Sequence, residues 1–142
     1  MRCAIGSDGV GPLTDALLEE LERRGVAAER FGAVRSAAET EWASIARAVG
    51  EAVASGRADV GVVCCWTGTG VSIAANKVHG VRAALCGDAA TAEGARRWND
   101  ANVLAMSMRA TSAAVGVEIL DAFLRTPTSD DESDRRSIAA VE

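Results

Sequence analysis

The sequence is short of histidine. His79 is the only one in 142 residues. Any Ser-His-Asp or Cys-His arrangement would have to run through it, and a multi-histidine metal site is excluded. Cysteine is present, but not in metal or redox spacing. Cys3, Cys64, Cys65 and Cys86 form no CxxC pair, and a structural zinc site lacks ligands. Cys3, Cys64 and Cys86 lie inside apolar runs and read as buried, inert thiols. Long apolar stretches are missing too: no run of about 18 apolar residues occurs. The longest uncharged run, Val60 to Asn76, is broken by Gly, Thr and Ser and fits a buried strand plus loop. Asp8 interrupts the first apolar run, so no secretory signal is expected and the cytosol is the expected compartment. Positive charge is in deficit, with 15 Lys and Arg against 20 Asp and Glu and a net charge of -5. An acidic chain argues against nonspecific nucleic-acid or membrane-surface partners.

What is present suffices for one globular domain, at 49% apolar and 25% charged residues. Short β-type runs alternate with amphipathic stretches. Arg2 to Ser7 reads as a strand. Leu13 to Arg24 carries a 3.6-period stripe of Leu13, Leu17, Leu18 and Leu21, with Gly25 as the stop. Strands are expected at Val26 to Phe31, Val60 to Cys65, Val81 to Cys86 and Asn102 to Met106. Helices are expected at Glu41 to Ala54, from Val71, at Ala89 to Arg97 and at Ser112 to Leu124. The continuous apolar run Val60 to Cys65 marks a central parallel strand covered on both faces. The pattern predicts an α/β chain: a five-stranded parallel sheet in a three-layer α/β/α sandwich over residues 1–126. Residues 127–142 form a polar, acidic tail with a short terminal helix. From Thr126 to Arg136 the tail reads as solvated.

Ligands in such folds bind at the carboxyl ends of the strands. Two loops there stand out: Asp8-Gly9, and Cys65-Trp66-Thr67-Gly68-Thr69-Gly70. The second suits an anion, because glycines let backbone N–H groups turn inward at a helix start. It is no Walker loop, lacking Lys-Ser/Thr after Gly70, and no dinucleotide fingerprint, lacking the third glycine. On its own such a turn is equally consistent with a tight connection.

Gly6-Ser7-Asp8, Cys65-x-Thr67-Gly68-x-Gly70, Ser72 to Lys77, Val81 to Cys86 and Asn99-Asp100-Ala101-Asn102-Val103-Leu104-Ala105 occur together. In these motifs the chain resembles the ribose-5-phosphate isomerase B family, which includes the galactose-6-phosphate isomerase subunits. The likeness runs from Met1 to about Leu124. It implies a Rossmann-like fold, a homodimer or dimer of dimers with the site between subunits, and no metal or organic cofactor. It also implies aldose–ketose isomerisation, a proton moved between C1 and C2 through an enediolate. Cys65 matches the family's catalytic base, a thiol placed at a helix start. Thr67 and the N–H groups of Gly68, Thr69 and Gly70 would hold the enediolate. Asp8 and Asn99 match sugar-hydroxyl contacts, and Arg109 and Arg136 match phosphate-side arginines.

The chain departs from the family pattern at particular places. Asp8 is followed by Gly9, where relatives read His-Ala-Gly. The histidine that opens the sugar ring is replaced by Trp98, whose indole N–H only donates. Trp66 stands for a glycine, and Glu41-Trp42-Ala43 for Asp-Tyr-Pro. A phosphate-side arginine aligns with Glu132. These changes imply a substrate that is open-chain, unphosphorylated or bulkier, with Trp66 and Trp98 among its contacts. The rival reading is a non-catalytic sugar-binding or partner subunit. Cys65 is expected to be accessible and Cys64 not, because successive strand residues face opposite ways. His79 is expected at the surface, at the sheet edge opposite the site.

Overall fold

The computed structural model describes residues 1–141. Five strands and six helices follow one another: β1 (Arg2–Ser7), α1 (Pro12–Arg23), β2 (Ala27–Gly32), α2 (Trp42–Ala54), β3 (Val60–Cys65), α3 (Thr69–Ala75), β4 (Ala83–Leu85), α4 (Ala89–Asn99), β5 (Val103–Ser107), α5 (Ala113–Arg125) and α6 (Glu132–Ala139). All strand pairs are parallel, in the order β2-β1-β3-β5-β4. All six residues of β3 are buried. Its alternate side chains feed two cores. Val62 and Cys64 join Leu17, Leu21, Leu104, Ile119 and Phe123 on the α1/α4/α5 face. Val63 and Cys65 join Ile45, Val49 and Val71 on the α2/α3 face. No helix among the described residues is long and apolar enough to cross a membrane.

Several expected boundaries move by one or two residues, and two of these shifts bear on the loops. Helix α3 begins at Thr69, because the loop glycine Gly68 takes a left-handed φ of 74° and starts the helix directly. The fourth strand shrinks to three residues. Before it, the Asn76 side chain bonds both backbone groups of Ala83: Nδ2 donates to the carbonyl at 2.9 Å and Oδ1 accepts from the N–H at 2.7 Å.

The tail is solvated along α6, where no residue is buried, but its start is tied to the body of the fold. Thr126 is buried, Thr128 Oγ1 donates to Asp100 Oδ1 at 2.8 Å, and Ser129 N–H donates to the Arg97 carbonyl at 2.8 Å. The acidic run opens a short terminal helix: Asp131 caps α6 by accepting from the Ser133 N–H at 2.8 Å.

Candidate active site

The chain runs outward from β1 to β2, then returns to β3 on the other side of β1. The loops after β1 and β3 therefore diverge and frame a crevice at their carboxyl ends, the switch point of such sheets. Register sets the level: Ser7 pairs with Cys64, and Cys65 pairs with Ser107.

The loop after β3 is held by backbone. The N–H groups of Met108 and Arg109 donate to the carbonyls of Cys65 and Trp66, each at 2.9 Å. Ser107 Oγ donates to the Trp66 carbonyl as well, at 2.9 Å. Gly68 is required: a Cβ there would lie 2.8 Å from the Met106 backbone and 2.6 Å from Leu85 Cδ1. The first N–H groups of α3 have no intrahelical acceptor and no side-chain cap, so they face outward as donors. Thr67 and Thr69 share a hydroxyl–hydroxyl bond of 2.7 Å beside them. The Trp42 ring closes one side, 3.0 Å from where a Gly70 Cβ would sit. Trp66 is exposed.

Asp8 stands half-buried across the crevice, and burial pushes its carboxyl above the usual carboxylate range against its own backbone N–H. Its charge, after desolvation and Cys65, also helps push the buried Cys64 thiol up to about 12. Among the described residues no side chain pairs with Asp8 or with the exposed Arg109. Gly9 abuts the Met108 thioether, and its N–H donates to Ser7 Oγ at 3.3 Å. Among the described residues no group of three His, Cys, Asp or Glu side chains could hold a metal ion.

The accessibility expected of Cys65 is corrected. Its residue exposure is 5%, against 0% for Cys64. The two thiols do face opposite cores, but Cys65 turns under α3 rather than out of the strand end.

Three expected site residues lie elsewhere. Trp98 and Asn99 end α4, which leads into the amino end of β5. That end is level with Gly61, four residues or about 13 Å below Cys65. The exposed Trp98 ring lies over Gly94 and walls a recess of about 330 Å³ with Asn99, Arg82, Ser137 and Ile138. Arg136 sits on α6, its Nη1 3.3 Å from Glu132 Oε1, the acid expected beside it. One chain thus brings together Asp8, Gly9, Cys65 to Gly70 and Arg109, and holds Trp98, Asn99 and Arg136 apart. Ser107 and Met108 were missed. Nothing in their spacing marks residues at the end of β5 as pinning the loop after β3, two connections earlier in the chain.

Residues 3–141 match the family described as Ribose/Galactose Isomerase. The chain is 35% identical over 143 residues to the Ribose-5-P isomerase B of Listeria innocua, covering 100% of this chain and 93% of that one. It is 31% identical over 125 residues to the D-erythrulose-4-phosphate isomerase of Pectobacterium atrosepticum, covering 87% and 82%. The solved structure of Clostridium thermocellum Ribose-5-Phosphate Isomerase B overlays with a TM-score of 0.92 at 34% identity, covering 99% and 95%. With strand order, loop geometry and end-to-end likeness in agreement, the chain belongs to the ribose/galactose isomerase family of sugar-phosphate isomerases.

Proposed function

We propose that the chain is an aldose–ketose isomerase for open-chain sugar phosphates, with tetrose 4-phosphates as the substrate class. The observation that carries this reading is the α4 corner. It presents Trp98 where the family pattern has its ring-opening histidine, and the lone His79 does not line the Trp98 recess. A tetrose esterified at O4 has no hydroxyl left to close a furanose ring, so it needs no ring-opening acid. A relative that acts on such a sugar, the Pectobacterium enzyme, supports the same choice.

In this mechanism Cys65, as thiolate, removes the C2 proton of the aldose. That electron pair forms the C1=C2 bond and the carbonyl pair moves onto O1, giving an enediolate; a proton passes from the C2 hydroxyl to O1, and as C2=O forms the proton held by Cys65 is returned to C1, leaving the ketose. Thr67 and the outward N–H groups of Gly68, Thr69 and Gly70 stabilise the negative oxygen as charge develops. Asp8 orients a sugar hydroxyl. Arg109, with no acidic partner among the described residues, meets the phosphate; Arg136 is partly neutralised by Glu132. The split of the site residues supports a homodimer in which Trp98, Asn99 and Arg136 of one copy close the crevice of the other. Burial of Cys65 gives the rival reading, a sugar-binding subunit without catalysis, its one structural argument.

Solvent deuterium exchange decides between them. Erythrose 4-phosphate in deuterated water should gain label as it isomerises, at a kcat/KM at least tenfold above that for ribose 5-phosphate. Exchange into neither sugar would establish the binding subunit. Equal turnover of the two would overturn the open-chain assignment.

A further inference from the structure

Asp100 is the one non-glycine residue with positive φ among the described residues, at φ 46° and ψ 43°. Such a conformation is costly outside glycine and persists where surroundings over-determine it. Here they do. The Asp100 carboxylate accepts from Arg82 Nη2 at 3.0 Å, from Arg96 Nη1 at 3.1 Å and from Thr128 Oγ1 at 2.8 Å. Its carbonyl accepts from Arg82 Nε at 2.8 Å. Arg96 also donates to the Ala101 carbonyl at 2.6 Å.

Three segments converge on this one side chain, the lead into β4 through Arg82, the last turn of α4 through Arg96 and the α5–α6 linker through Thr128, and Arg96 ties in the Ala101 carbonyl just before β5. Asn99 and Trp98 are its immediate neighbours, and the linker carries α6 with Arg136. The left-handed turn sends the chain sharply back into β5 just after Asn99, leaving that side chain on the outside of the bend. Core packing accounts for none of this, because Asp100 and its two arginines are only part-buried.

We propose that Asp100 is a positioning residue: it locks the Trp98–Asn99 corner and the Arg136 helix into one body, so that both present together to the crevice of a second subunit. This rests on the reading of the site as shared between two copies. Asp100 touches no substrate; it acts through Asn99 and α6.

The test uses full-length chains and erythrose 4-phosphate. Asp100→Gly keeps the left-handed backbone without strain and removes the carboxylate; Thr128→Val removes only the linker's hydrogen bond. Both should raise KM at least tenfold and leave kcat within about threefold. Cys65→Ser should keep no more than about 1% of the parent turnover. Mixed dimers of Cys65→Ser with Asp100→Gly should recover native KM. Random pairing places one intact site in half of the dimers, about a quarter of all sites. An active Cys65→Ser homodimer would sink the catalytic reading and leave the Asp100 role to be judged on KM alone. An inactive Cys65→Ser, with native KM in Thr128→Val or no recovery on mixing, would overturn the positioning role itself. If Asp100→Gly does not fold, Thr128→Val mixed with Cys65→Ser gives the same decision.

Discussion

At the carboxyl edge of the sheet the functional groups are held by backbone; at the α4 corner they are held by charged side chains. Around Cys65 to Gly70, main-chain bonds from Met108 and Arg109 and the close approach of Gly68 to Met106 fix the loop. Around Trp98 and Asn99, one carboxylate and two arginines do so. A backbone-built site changes little when a surface side chain changes. A corner built from ion pairs and a docked helix is open to replacement, and two departures from the family pattern, Trp98 and Glu132, fall there. The proposed function assigns chemistry to the rigid half and substrate choice to the adaptable one.

The largest expected effect belongs to the rigid half. Cys65→Ser should lower kcat by about 10²–10⁴-fold, the range for losing a general base. Thermal unfolding of the variant should stay near that of the parent, since a hydroxyl of similar size enters a small space. A kcat within tenfold of the parent would move the base elsewhere.

Next comes the adaptable half. Trp98→His restores a group able to open a ring, and turnover of ribose 5-phosphate should rise tenfold or more while erythrose 4-phosphate changes little. A parallel change in both sugars would erase the proposed division between the two regions.

Gly68→Ala tests the backbone argument itself. The left-handed φ and the 2.8 Å approach to Met106 should cost roughly 1–3 kcal/mol, read as a lower urea midpoint at constant m-value. An unchanged midpoint would show the loop to be far softer than its bonds suggest.

Asp8 gives the smaller, pH-dependent effect. Burial raises its folded carboxyl above the ordinary value, so its charged form opposes folding at neutral pH. That cost disappears as pH falls through the folded value toward the unfolded one. Asp8→Asn should therefore unfold slightly later than the parent at pH 7, with the difference closing by about pH 3. A difference that widens toward acid would reverse the sign. His79→Ala, in the exposed turn after α3, should leave turnover unchanged, and a tenfold loss would place that turn in a neighbour's site.

Much of the fold was legible because period and burial coincide. Arg2–Ser7 and Val60–Cys65 match the strands residue for residue, since both are apolar on two faces and end at glycine or polar loops. The fourth strand was overextended because Val81 and Cys86 are buried without belonging to the ladder. The anchoring of the α5–α6 linker was not legible, because the hydroxyl of Thr128 and the N–H of Ser129 that tie it down look, by composition, like those of any solvated segment. The meeting of the β1 and β3 loops at one carboxyl-edge crevice was legible from fold rules alone. The remoteness of Trp98 and Asn99 was not, because motif likeness records which residues serve a site and not which copy supplies them. The direction of the Cys65 thiol was not legible either: alternation gives the face of the sheet, while exposure at a strand end depends on how the next helix folds over it.

The Asn76 amide occupies both backbone groups of Ala83 at the start of the outer strand. A neighbouring chain approaching there finds no free pair of peptide groups to copy its own strand onto, so the sheet has no template from which to grow at that point. Copies that gather on this side must recognise one another by the shape and chemistry of side chains. Such recognition ends with a finite assembly, where a bare strand edge invites an open-ended one.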